Sequence, residues 1–157
     1  MRQIDIRPVT ADDHAAWLPL WQAYLRFYNT ELPDAVSQST WQRLIDPSEP
    51  THSALAWQDG KAVGMVNFIY HRSNWSIENS CYLQDLLVDP AQRGTGVGRK
   101  LMSALIESAR IKGYRAIVGD VLSQNTKMFR LMGSLGFTIH PHPEDTAVKR
   151  VVKPLTG

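Results

Sequence analysis

Three glycines at alternate positions, Gly94, Gly96 and Gly98, stand between a strand-like stretch and an amphipathic helical pattern. No other feature narrows the folds open to this chain as much. Upstream, residues 81–88 read as an apolar strand stopped by Asp89-Pro90; downstream, residues 97–112 place Gly98, Met102, Leu105, Ile106 and Ala109 on one helical face. Gly113 follows where a glycine commonly ends a helix. A loop this poor in side chains, opening a helix, turns several backbone N–H groups outward together at the positive end of the helix dipole, which is a seat for phosphate. Arg93 and Arg99 flank it with charge for a pyrophosphate or a 3′-phosphate. The dinucleotide fingerprint would need a third glycine at position 99, where Arg99 stands, and no Gly-Lys-Ser/Thr is present to make a Walker A loop. Taken alone, the glycines are equally compatible with a compact strand-to-helix connection.

Around this junction the chain alternates short elements. Residues 4–7 alternate like a strand, and Thr10 to Asp13 offer capping oxygens before Trp17, Trp21, Tyr24, Leu25 and Tyr28 recur at helical spacing. Pro19 falls inside that pattern and predicts a kink or a later helix start. Residues 29–36 read as loop and 39–44 as a second short helix. Residues 53–57 and 62–70 flank Asp59-Gly60, a tight-turn dipeptide, and predict an antiparallel hairpin. Residues 116–122 form a further strand, 125–135 a helix with Met128, Leu131, Met132 and Leu135 in one stripe, and 146–152 a last strand. The order predicts an α/β or α+β layer architecture around one mixed sheet, with residues 1–157 as one domain.

The 157 residues suffice for a core without metals or disulfides. Seventeen Lys and Arg against fifteen Asp and Glu give a net charge of only +2, scattered rather than clustered, which argues against nucleic acid as a partner. The N-terminus lacks the apolar stretch of a signal peptide and no apolar run approaches a membrane span, so a cytoplasmic protein with no membrane partner is expected. Cys81, the single cysteine, is expected to be a buried, inert thiol. His140-Pro141-His142-Pro143 has no further ligand at metal-binding spacing, and no metal is expected there.

Arg93-Gly94-Thr95-Gly96-Val97-Gly98, followed by Arg99-Lys100-Leu101-Met102, resembles the acetyl-CoA motif of the GNAT acetyltransferases. The resemblance extends to the preceding strand, Tyr82-Leu83-Gln84-Asp85-Leu86-Leu87-Val88, and to Asn125 and Leu135-Gly136-Phe137 downstream. The tyrosine-rich first helix and the Tyr-Leu-Gln-Asp-Leu strand are most similar to the branch that includes histone and polyamine acetyltransferases. The resemblance implies a GNAT-like, mostly antiparallel sheet whose two central strands, 81–88 and 116–122, run parallel and splay apart, flanked by about four helices. It implies acetyl-CoA as cosubstrate, with pantetheine pairing to the backbone of Leu86, Leu87 and Val88, the N–H of Leu86 or Leu87 facing the thioester oxygen, and phosphates on residues 93–99. Asn125 would contact pantetheine or cap the last helix. The acetyl group would pass to a primary amine, on a small molecule or a lysine-containing peptide, by direct attack in a ternary complex. A homodimer through C-terminal strands is common among proteins of this resemblance.

Such transfer needs a neutral amine, and an alkylammonium has a pKa near ~10.4, so something must accept a proton. Asp85, a carboxylate inside an otherwise apolar strand, is the candidate base; its other reading is a carboxylate held by a nearby arginine or capping a loop. Gln84 can bind but cannot act as a base. Met132 stands where the resemblance places a tyrosine that protonates the departing thiolate, and methionine has no exchangeable proton. That leaves water, or a phenol from Tyr24, Tyr28 or Tyr82, and makes a catalytically weak CoA-binding sensor the alternative to an enzyme. Tyr28, Glu31, Asp34, His71, Gln84 and Trp75 are candidates for the acceptor pocket.

Overall fold

A computed structural model describes residues 3–71, 79–89 and 94–155. Thr10 opens the helical part with a capping box: its N–H donates to Asp13 Oδ2 (2.8 Å) and its hydroxyl accepts from the N–H of Asp12. A single 3-10 turn, Ala11–Asp13, then passes into α1, His14–Phe27, with Pro19 inside it rather than before its start. The second helix, α2, spans Asp34–Leu44, beginning well before the expected residue 39. Pro33 (φ −56°) sets the entry dihedral and Asp34 complements the helix dipole, whereas the first turn is exposed throughout and carries no apolar period to read.

Seven strands follow the order β1-β2-β3-β4-β5-β7-β6 in one sheet, with β1 Asp5–Pro8, β2 Thr51–Gln58, β3 Lys61–His71, β4 Ser80–Val88, β5 Ala116–Leu122, β6 Thr138–Pro141 and β7 Val148–Pro154. This is the mixed, mostly antiparallel sheet expected for the GNAT fold. Asp59 and Gly60 both have positive φ, 53° and 77°, as a two-residue hairpin turn between β2 and β3 requires. The parallel pair is β4 with β5, in register from Ser80↔Ala116 to Leu83↔Gly119. β4 runs on past that ladder to Val88. α3, Val97–Ile111, and α4, Thr126–Ser134, complete the four helices. β6 had no counterpart in the sequence reading: its four residues are all exposed, and its strand geometry comes from antiparallel pairing with β7 rather than from alternation of its own side chains.

Backbone packing divides the chain into two compact units, Met1–Phe68 with Asp85–Met102, and Ile69–Gln84 with Ser103–Gly157. The core of the first is Trp17, Leu20, Trp21, Trp41, Leu44, Leu55, Met65 and Leu87. Along α1 the rings of Trp17, Trp21, Tyr24 and Tyr28 follow one another at 5.3, 6.0 and 4.8 Å between centroids, the first two pairs stacked and the last tilted by 47°. In the second unit Cys81, Leu83, Leu105, Ala109, Ile117, Met132 and Val151 are buried. Among the described residues no helix is long and apolar enough to cross a membrane.

Gly64 on β3 determines how closely α3 begins. A Cβ there would lie 2.8 Å from both Val97 Cγ1 and Leu101 Cδ1 and 3.4 Å from the Leu87 carbonyl oxygen. Val97 is stiff at χ1 in a helix, and both side chains are fully enclosed, so neither can swing clear. Gly64→Ala is therefore expected to lower unfolding free energy by about 1–3 kcal/mol in denaturant titration. An unchanged midpoint would mean that α3 shifts without cost.

Candidate active site

The first unit carries the phosphate-seat geometry. Gly94 and Gly96 have φ of 84° and 92°, a region L side chains rarely adopt, and Gly98 falls inside the first turn of α3. Val97 is buried and anchors the helix start, while the Gly96 carbonyl accepts the first helical bond from the N–H of Lys100 (3.0 Å). The N–H groups of Gly96, Val97 and Gly98 precede the first i−4 bond of the helix and stand at the positive end of its dipole. Thr95 and Arg99 are exposed beside them. No described atom lies within 4 Å of where a Cβ would stand at Gly94 or Gly96. Arg93, expected to add charge, lies outside the described residues, as does Trp75.

Alternation along β4 sends Cys81, Leu83, Asp85 and Leu87 inward, leaves Tyr82, Leu86 and Val88 half-buried, and exposes Gln84. Asp85 is only 8% exposed, and a carboxylate so placed needs partners. Among the described residues it has two, both neutral: Asn67 Nδ2 donates to its Oδ2 (3.0 Å), and the Tyr24 hydroxyl is hydrogen-bonded to it. Among the described residues neither an arginine partner nor a loop cap, the alternatives for such a residue, holds it. Burial pushes the Asp85 carboxyl above the usual carboxylate range, and the bonds from Asn67 and Tyr24 only moderate this. The network extends both ways. Trp17 Nε1 donates to Asn67 Oδ1 (3.5 Å), and Tyr24 is hydrogen-bonded to Tyr28, which closes α1. Burial, then the charge of Asp85, raises the Tyr24 phenol; burial also raises Tyr28.

The structure thus places Tyr28 in contact with the Asp85 network, through Tyr24. Glu31 is exposed between α1 and α2, and Asp34 begins α2. His71, exposed at the end of β3, and Gln84 belong to the second unit. Asn125 caps α4, its Oδ1 accepting from the N–H of Met128 (3.2 Å). Met132 is fully enclosed and supplies no proton. The Cys81 thiol is buried and pushed up to about 12, as an inert thiol should be. Of the paired histidines, His140 hydrogen-bonds Thr138 Oγ1 (2.7 Å), and His142 lies 3.2 Å from Arg150 and 3.8 Å from Asp120. Among the described residues no three metal-ligating side chains converge.

Asn67 escaped the sequence reading although its signal was there: a lone amide within the apolar run 62–68 poses the question that Asp85 posed in its own strand. The link from Tyr24 to Asp85 had no such signal, because a helical stripe of aromatics looks the same with or without a carboxylate beneath it.

A model of the acetyltransferase (GNAT) family matches residues 17–137. The D-amino-acid N-acetyltransferase HPA3 of Saccharomyces cerevisiae is 33% identical over 117 residues, 73% of this chain and 73% of that protein. The L-methionine sulfoximine/L-methionine sulfone acetyltransferase of Salmonella typhimurium is 38% identical over 96 residues, which cover 59% of this chain and 53% of that protein; the match spans about half of that relative. Among solved structures, a GCN5-related N-acetyltransferase from Kribbella flavida superposes with a TM-score of 0.78 at 27% identity, over 97% of this chain and 98% of that one.

Proposed function

The chain belongs to the acetyltransferase (GNAT) family and is an N-acetyltransferase, and from that premise we propose that it carries the acetyl group of acetyl-CoA to the primary amine of a small, amino-acid-like acceptor by direct attack in a ternary complex. The glycine turn at 94–98 receives the pyrophosphate on its backbone N–H groups, with Arg93 and Arg99 as flanking charge. Leu86, Leu87 and Val88 pair their backbone with pantetheine, and the N–H of Leu86 or Leu87 stabilises the oxyanion of the tetrahedral intermediate. Asp85 takes up the proton that the attacking nitrogen sheds.

The observation that carries this reading is the buried Asp85 and its hydrogen bond from Tyr24, in the same compact unit as the glycine turn. A carboxylate held above its ordinary range by burial takes up a proton more readily than an exposed one. The acceptor class is supported by the relatives, whose names specify D-amino acids and methionine analogues. In this reading Tyr28 and Glu31 receive the acceptor's ammonium, and His71 and Gln84 remain candidates for acceptor binding from the sequence alone.

Thiol release from acetyl-CoA, followed over D- and L-amino acids, polyamines, aminoglycosides and lysine peptides, tests the proposal. Turnover is expected on the amino acids first, with intersecting double-reciprocal lines when both substrates are varied. Parallel lines would replace direct attack by a covalent acetyl-enzyme. Tight CoA binding with no turnover on any amine would instead leave a sensor.

A further inference from the structure

The directions of the hydrogen bonds around Asp85 are fixed by which groups can only donate or only accept. Trp17 Nε1 is a donor, so Asn67 must present its oxygen to it and its nitrogen to Asp85. The ionised Asp85 carboxylate only accepts, so the single proton of the Tyr24 hydroxyl is committed to it. With Asp85 ionised the Tyr24 oxygen is left to accept, and in that state we assign the proton of the hydrogen bond between Tyr24 and Tyr28 to Tyr28. Every bond points inward, toward Asp85. Tyr28, at the outer end, is half-buried, and with its proton assigned to the bond with Tyr24 its phenol oxygen offers lone pairs. That suits an N–H donor.

We infer that Tyr28, Tyr24 and Asp85 form one proton wire, which takes the proton of the attacking amine and afterwards returns it to the CoA thiolate, doing the work of the phenol that is absent at Met132. The inference rests on the acetyl-transfer reading above and assigns its proton route. The acceptor enters the step as a free amine, its ammonium proton having gone to solvent. The nitrogen then forms a bond to the thioester carbonyl carbon. As it does so its surplus proton passes to Tyr28 Oη, the Tyr28 proton to Tyr24 Oη, and the Tyr24 proton to the carboxylate, leaving Asp85 neutral. Each bond has now reversed. Asp85 donates to Tyr24 and Tyr24 to Tyr28, so the Tyr28 O–H points outward. When the C–S bond breaks, the thiolate takes that proton and the wire returns to its starting polarity. The products are the amide and CoA thiol, with no proton left over. Burial of Asp85 favours the neutral intermediate, and the Tyr24 and Tyr28 rings lie against each other with centroids 4.8 Å apart.

Tyr24→Phe removes the middle hydroxyl and keeps the ring and its contacts with Trp21 and Tyr28. The expected result is a fall in kcat of about 100-fold at neutral pH, with KM for acetyl-CoA and CoA affinity by calorimetry unchanged, and a loss that shrinks in alkali as hydroxide takes the nitrogen's proton. Because the wire acts as a unit, the Tyr24→Phe/Asp85→Asn double variant should be no slower than the Asp85→Asn single variant. A merely structural role for Tyr24 would lower the melting temperature and leave the pH profile in place. Tyr28→Phe, at the half-buried end, repeats the test should the Tyr24 variant fold poorly. Wild-type kcat and pH profile in both tyrosine variants would overturn the wire while leaving acetyl transfer intact. Absence of turnover by the wild type on every amine would overturn acetyl transfer, and the wire with it.

Discussion

Gly96→Glu is expected to weaken acetyl-CoA binding at least about 100-fold, and calorimetric titration with CoA measures it directly. Two effects add at this one position. The backbone holds φ at 92°, and any L side chain there costs roughly 1–2 kcal/mol. The larger effect is electrostatic, because the new carboxylate would stand where helix N–H groups are turned toward an anion and would oppose a pyrophosphate at close range. Charge-assisted hydrogen bonds contribute about 1.5–3 kcal/mol each, so losing one or two of them, together with the backbone strain, exceeds the ~2.7 kcal/mol that corresponds to two decades of affinity. Gly96→Ala separates the two effects, since no described atom lies near its Cβ and only the backbone strain is introduced. It should bind CoA within about tenfold of wild type. Equal affinity of the glutamate variant and the wild type would remove residues 94–98 from the phosphate site.

How far this fold was legible depends on where each element drew its stability. The Asp59-Gly60 hairpin, β4, α3 and β5 are determined by their own residues: a dipeptide that tolerates two positive φ values, apolar runs of strand length, a helical stripe ended by Gly113. The start of α2 and the whole of β6 are determined by neighbours. Asp34, Ala35 and Val36 are exposed and patternless, and β6 is a strand because β7 supplies its partners from Val152 to Lys149. The candidate site divides along the same line. Gly94, Gly96 and Asp85 each break a local rule and so stood out from the sequence, whereas Tyr24 obeys every rule for a helix packed on a sheet. Its part in the site exists only because β4 passes beneath α1. Asn125 fits either of two roles by sequence, and the structure shows its oxygen occupied by the α4 N-terminus.

Asp85→Asn is expected to move activity and stability in opposite directions. Asparagine preserves the shape and can still accept from Tyr24, but it takes up no proton, so kcat should fall roughly 10²–10³-fold at neutral pH and recover in alkali. For stability the sign follows from the direction of the Asp85 shift. Its carboxyl titrates above its ordinary value of 3.8 in the folded protein, because burial disfavours the charged form. Below the unfolded value both states are protonated and the residue contributes no pH dependence. As pH rises from there to the folded value, the native state binds more protons than the unfolded state, so stability falls with pH across that window and levels off above it. The asparagine variant has no such group. Its stability relative to wild type should therefore rise through the window and stay above it at neutral pH, as measured by denaturant titrations at several pH values. Parallel pH profiles for the two proteins would show that Asp85 is not held buried at a cost. The opposite result in activity, an unchanged rate at neutral pH, would take the proton from Asp85 altogether. Finding both expected changes would identify a carboxylate kept in an unfavourable place for what it does to a proton rather than for what it adds to the fold.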